Sequence, residues 1–100
     1  MKTLHLVLKG VWYDKIASGE KTSEYRECKP YWNKRLGMKS GMNENHVVAP
    51  LEPKYNRVVF HRGYTNDTIE FEIKDIDITY QTNDLRLPKV WEIKLGKRIK

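Results

Sequence analysis

Leu4, Leu6 and Leu8 alternate with His5, Val7 and Lys9, and period two with one apolar face predicts a strand that Gly10 ends. In the next nine residues, VWYDKIASG, Trp12 and Ile16 fall four apart, the spacing of one helix face. Gly19 follows where a left-handed cap closes such a helix. KTSEYRE, residues 21–27, alternates again and predicts a second short strand. Pro30 opens a second short helix, PYWNKRLG, with Tyr31, Trp32, Arg35 and Leu36 on one side and Gly37 at its end.

Residues 37–54 show no period. A stretch of this length without structure is long for a compact domain, and two readings stand: a flexible or ligand-covering loop, or a disordered insertion. Tyr55 to His61 predicts a third strand, followed by a turn, RGYTNDT, with Gly63, Asn66 and Asp67 as breakers. Residues 68–80 predict a long fourth strand whose parity switches. Ile69, Phe71 and Ile73 face one way by odd number, Ile76, Ile78 and Tyr80 by even number, as across a β-bulge or barrel corner. A polar loop, 81–88, leads to a last strand from Val90 to Leu95, which Gly96 stops. Five strands with one or two short helices predict a single α+β, mainly β domain over residues 1–100. Five bent strands in so short a chain suggest a closed or nearly closed barrel, because closure removes exposed edges.

At 100 residues and 11.9 kDa, the folded chain should expose roughly 6,000 Å², against roughly 17,000 Å² unfolded. That allows one modest core. The single cysteine, Cys28, excludes an internal disulfide framework and a cysteine-rich zinc site, and it fits a reducing compartment. The apolar start is too short for a signal peptide's h-region with a cleavage site, and no apolar run reaches the ~20 residues of a membrane-spanning helix. The expectation is a cytoplasmic protein without membrane contact.

The net charge of +6 is unevenly placed: +5 over residues 1–39, −3 over 40–83 and +4 over 84–100. Two basic ends that meet in space would make a positive face for phosphates; a solvated lysine-rich surface explains the same numbers.

Most site chemistries are absent. There is no phosphate-binding glycine loop and no G-x-S-x-G elbow. His5, His46 and His61 are far apart and lack metal-ligand spacing, so neither a metal nor a cofactor is expected. Cys28 is read as a packing residue before a reactive thiol. The segment from Gly19 to Arg26 is different, with Lys21, Glu24 and Arg26 within six residues just past a capping glycine. On an extended strand Glu24 and Arg26 share a face with Thr22, while Ser23 and Tyr25 take the other. The segment reads either as a surface strand with an ion pair worth ~0–1 kcal/mol, or as a polar cluster in a cleft. In the second case Lys21 and Arg26 hold an anion and Glu24 orients one of them.

With these residues in place the chain resembles the ASCH domain family, in particular its short stand-alone bacterial and phage members. The resemblance runs from Leu4–Lys9 and Trp12 through IASGEKTSEYRE, KPYWNKRL and the FHRGY turn to the final WEIKLGK, nearly the whole chain apart from 37–54. The family's G-x-K-x-x-E-x-R pattern is matched in full by Gly19, Lys21, Glu24 and Arg26. The resemblance implies a small PUA-like β-barrel of about five to six strands with one or two short helices, and a cleft beside the first helix and the motif strand. It implies RNA or a nucleotide-like molecule as ligand; the residues read here as its binding set are Lys9, Trp12, Lys21, Glu24, Arg26, Arg62 and Tyr64. Some stand-alone members are amidohydrolases acting on N4-acetylcytidine, and ribonuclease activity has been proposed for others. The amidohydrolases' lysine matches Lys21, but their nucleophilic threonine, three residues on, is replaced by Glu24. Their later acid has no evident counterpart in residues 81–89. Related short members carry Asn-Gly-Tyr where this chain has Arg62-Gly63-Tyr64, which adds a cation.

Three function classes follow. The first is a single-stranded RNA- or nucleotide-binding module. Its phosphate contacts would come from Lys9, Lys21, Arg26 and Arg62, and its stacking from Trp12, Tyr25 or Tyr64. The second is an enzyme on modified nucleosides or RNA, with Lys21 as general base beside Glu24. The third is a module whose positive face docks an acidic protein partner.

Overall fold

The computed structural model describes residues 2–40 and 43–100. In chain order the elements are β1 (Lys2–Leu8), α1 (Gly10–Ala17), β2 (Ser23–Glu27), α2 (Pro30–Leu36), β3 (Met38–Ser40), β4 (Asn43–Val48), β5 (Tyr55–Arg62), β6 (Thr68–Thr79) and β7 (Val90–Arg98). The protein is mainly β with two short helices, as the periodicity predicts. One five-stranded sheet runs β1-β5-β6-β7-β2, with β1 parallel to β5 and every other neighbour antiparallel. It curls into a half-barrel. Hydrogen bonding stops short of closure, and β1 and β2 are its two edges.

The curl follows from β6. Its ladder with β7 shifts register between Phe71 and Ile73 and again between Ile73 and Asp75, so the parity switch in the sequence is a real irregularity. Beyond it, Ile76 takes over from Ile69 as the buried residue on the concave face. Leu4, Leu6 and Leu8 of β1, Val58 and Phe60 of β5, and Trp91 and Ile93 of β7 complete that face. Ile16 of α1 and Leu36 of α2 also enter the core. Trp91 is fully buried, and its indole Nε1 donates to Asn33 Oδ1 at 2.9 Å, which ties α2 to the sheet. Gly37 ends α2 against the same ring; a Cβ there would lie 2.8 Å from Trp91 and would overlap the Val47 side chain.

Three details depart from the pattern. Residues 37–54 carry β3 and β4, which pair as a separate antiparallel sheet although no period marks them; residues 41 and 42 lie outside the described residues. Gly96 does not stop the last strand, which continues to Arg98 past a register shift. His5 and His61, distant in sequence, meet on the convex face, Nδ1 to Nε2 at 3.1 Å. Gly19 behaves as expected, with φ +84 after the last turn of α1.

The exposed area is 6914 Å², above the roughly 6,000 Å² expected for the mass. An unclosed sheet exposes its convex face and both edges, which accounts for the direction of the excess. No helix among the described residues is long and apolar enough to cross a membrane.

Candidate functional site

The site is built where α1 hands over to β2. Gly19 turns the chain, and the Lys21 N–H donates to the Lys15 carbonyl at 3.0 Å, fixing the lysine against the end of α1. One residue on, the Thr22 carbonyl accepts from Leu95 N–H at 3.0 Å, and β2 then pairs with β7. In that register Glu24 lies opposite Ile93 and Arg26 opposite Trp91, both core residues. The two charged residues thus occupy the concave row that apolar side chains fill elsewhere.

Glu24 is 5% exposed. A carboxylate so deeply buried is tolerable only when paired. Its Oε2 accepts from the Arg26 guanidinium at 2.5 Å, and its Oε1 lies 3.5 Å from Lys21 Nζ. Lys21 has a second partner, Asp84, whose carboxylate accepts from Nζ. The cluster holds two cations and two anions, a formal charge of zero.

Asp84 is held in place by Asn83, which is buried and organises the 81–87 loop. Asn83 Nδ2 donates to the Gln81 and Leu87 carbonyls at 3.0 and 2.8 Å, and its Oδ1 accepts from Leu85 N–H at 3.0 Å. Aromatic faces surround the cluster. Lys21 Nζ lies 4.7 Å from the Tyr25 ring centre and 5.6 Å from that of Trp12, and the Arg26 guanidinium lies 5.3 Å from Trp32.

Two cavities adjoin at this cluster. One, of about 500 Å³, is lined by Lys9, Trp12, Glu24, Arg26, Lys29 and Trp32, among others. The other, of about 390 Å³, is lined by Trp12, Lys21, Ser23, Tyr25, Asp84 and Glu92, with Thr22 also on its wall. Trp12, Tyr25 and Asp84 belong to both. Partial burial, with help from the Glu92 and Asp84 carboxylates, pushes the Tyr25 phenol above the ordinary tyrosine value.

Of the residues expected from sequence, Lys9, Trp12, Lys21, Glu24 and Arg26 come together here. Glu24 and Arg26 face the larger cavity, Lys21 the smaller, and the ion pair through Glu24 joins them. Arg62 and Tyr64 line neither cavity. Arg62 ends β5 beside α1 and binds both carboxylate oxygens of Asp14 at 3.2 Å. That fork holds the Asp14 carboxyl below its ordinary range and raises Arg62. Tyr64 is fully exposed in the turn after it.

Sequence reasoning missed Asp84, Trp32 and Lys29 as site residues. Trp32 was legible only as a helix-face aromatic, and Asp84 lies in a polar loop with no period. Cys28 is half-buried and burial pushes its thiol up, consistent with packing rather than reactivity. Among the described residues no three His, Cys, Asp or Glu side chains gather as metal ligands would.

Comparison with known proteins gives no match: no family model, no curated protein and no solved structure aligns with the chain.

Proposed function

We propose that the chain is an ASCH-type module that binds RNA or a nucleotide-like ligand in the larger cavity. The observation that carries this reading is the cavity's construction. Trp12 and Trp32 stand on its walls, the Glu24–Arg26 pair forms a polar floor, and Lys9 and Lys29 lie exposed at its rim. Its volume of about 500 Å³ falls within the range of small-molecule pockets. A base stacks on an indole for ~1–3 kcal/mol, and the ion-paired floor offers donors and acceptors to its edge. Because Lys21 and Arg26 are already neutralised by Glu24 and Asp84, phosphates fall to Lys9 and Lys29. The G-x-K-x-x-E-x-R resemblance supports the same assignment from sequence.

Titration with uridine, UMP and short single-stranded RNA, followed by tryptophan fluorescence, tests it. Saturable quenching that weakens with salt and is lost in Trp32→Ala and Arg26→Ala is the expected result. Absence of saturation with every ligand refutes it.

The second reading, an amidohydrolase or ribonuclease on modified nucleosides or RNA, gains from Asp84. The acid that the resemblance calls for beside the lysine has a candidate in this loop residue, at Lys21 Nζ. With Glu24 in the place of the threonine, the aliphatic hydroxyls that share the smaller cavity with the lysine are those of Thr22 and Ser23. Ser23 Oγ donates to Glu92 at 2.8 Å, so a carboxylate stands ready to take its proton. Turnover of N4-acetylcytidine that disappears in Lys21→Ala would establish this activity, and no turnover would leave binding alone.

A further inference from the structure

A third cavity, of about 540 Å³, lies on the far side of α2 from the larger site cavity. The helix separates the two residue by residue. Lys29 and Trp32 face the first, whereas Pro30, Asn33 and Lys34 face the third. Its floor is apolar, from Pro30, Gly37, Met38 and Val47. Its rim is cationic, from Lys34, Lys39 and Lys54, and among the described residues no carboxylate lines it. Lys54 is anchored there, its Nζ donating to the Lys34 carbonyl at 3.1 Å. The helix itself carries Lys34 and Arg35 and no acidic residue.

The contrast with the first site is electrostatic. There the two largely buried cations are cancelled by two carboxylates; here three lysines surround an apolar patch, and none of the described residues lining it is a carboxylate. We infer that this groove is a second subsite for single-stranded RNA. A strand whose base sits between Trp12 and Trp32 would cross α2, lay a further base on the apolar floor and set its phosphates against Lys34, Lys39 and Lys54. This inference rests on the nucleotide-binding reading of the first cavity. It adds that affinity grows with strand length and that most of the salt dependence resides across the helix.

The test compares UMP with hexauridylate on the intact chain and on a Lys34→Glu/Lys39→Glu variant, with Lys34→Ala/Lys39→Ala as the milder pair. Circular dichroism verifies that each is folded. Hexauridylate should bind the unaltered protein at least tenfold more tightly than UMP. The double variants should abolish that gain and reduce the log–log salt slope by about 1.4, the value for two phosphate contacts on a single strand. UMP affinity should stay within twofold. A hexauridylate affinity unaffected by the substitutions overturns the inference, as does polyglutamate competing as well as RNA, which would mark a surface for acidic proteins. If UMP fails to bind while the variants still lose hexauridylate, the groove stands and the first-cavity reading falls. If neither ligand binds, both fall.

Discussion

Lys21 and Asp84 form an ion pair across 63 residues of sequence, and Asp84 lines both site cavities. Their side chains differ in exposure, 9% for Lys21 against 39% for Asp84, so the lysine is committed to the site while the aspartate approaches from the solvent side.

Asp84→Asn should therefore cost little stability, up to about 1 kcal/mol, because the exposed partner is screened and Glu24 still pairs with the lysine. It leaves one uncompensated positive charge in the cluster. UMP affinity should rise relative to uridine, with a steeper salt dependence. Equal changes for the two ligands would show that Lys21 does not sense the phosphate.

Glu24→Gln is the opposite case. It removes the carboxylate that two largely buried cations share, and breaking a buried network of this kind costs about 3–5 kcal/mol. The denaturation midpoint should drop sharply. Arg57→Ala breaks a pair whose arginine is 51% exposed, and should change stability by no more than about 1 kcal/mol. Similar losses in the two variants would mean that Glu24 is not the keystone described.

Gly37→Ala tests the contact between α2 and the sheet. The added methyl meets Val47 and the Trp91 ring at distances real Cβ atoms do not show, so overpacking of about 1–3 kcal/mol is expected. Gly19→Ala has open space around it, but φ is +84, and a smaller loss of about 1 kcal/mol arises from backbone strain alone. Thermal melts of the two variants should preserve that order.

Tyr25 makes stability fall at alkaline pH. Its phenol titrates higher in the folded than in the unfolded chain, so the unfolded state loses its proton first. The contribution is whole below the ordinary tyrosine value near 10 and disappears as pH rises through the folded value. Burial raises the Tyr13 phenol as well, so phenolate absorbance should show two late-titrating tyrosines, of which Tyr25→Phe removes one; an unaltered titration curve would contradict this placement.

Much of the fold was legible because the concave face is apolar at every second position in β1, β5 and β7. Glu24 was the hardest residue to place. In a strand, a charged residue normally reads as outward-facing, yet this one occupies a core row opposite Ile93, and only the cations beside it make the burial tolerable. The two readings of the motif, surface pair or cleft cluster, could not be separated from spacing, since both use the same parity. The β3–β4 pair escaped notice because strands of three and six residues without alternation leave no periodic trace. Asp84 escaped because its position depends on Asn83 folding a loop onto itself, a local hydrogen-bond solution with no hydrophobic signature.

The strand order β1-β5-β6-β7-β2 has a kinetic consequence. β1 and β2 are neighbours along the chain, joined through α1, yet they flank opposite ends of the sheet. Neither gains a partner until the later strands exist, β5 for the first and β7 for the second. The local hairpins β5–β6 and β6–β7 form the natural nucleus, and the two early strands dock onto it by closing long loops. Glu24 and Arg26 ride on the strand that must wait longest, and Lys21 lies just before it. During synthesis, the buried charges of the motif therefore spend their time in water, where being unpaired costs nothing, until β7 has emerged to receive them.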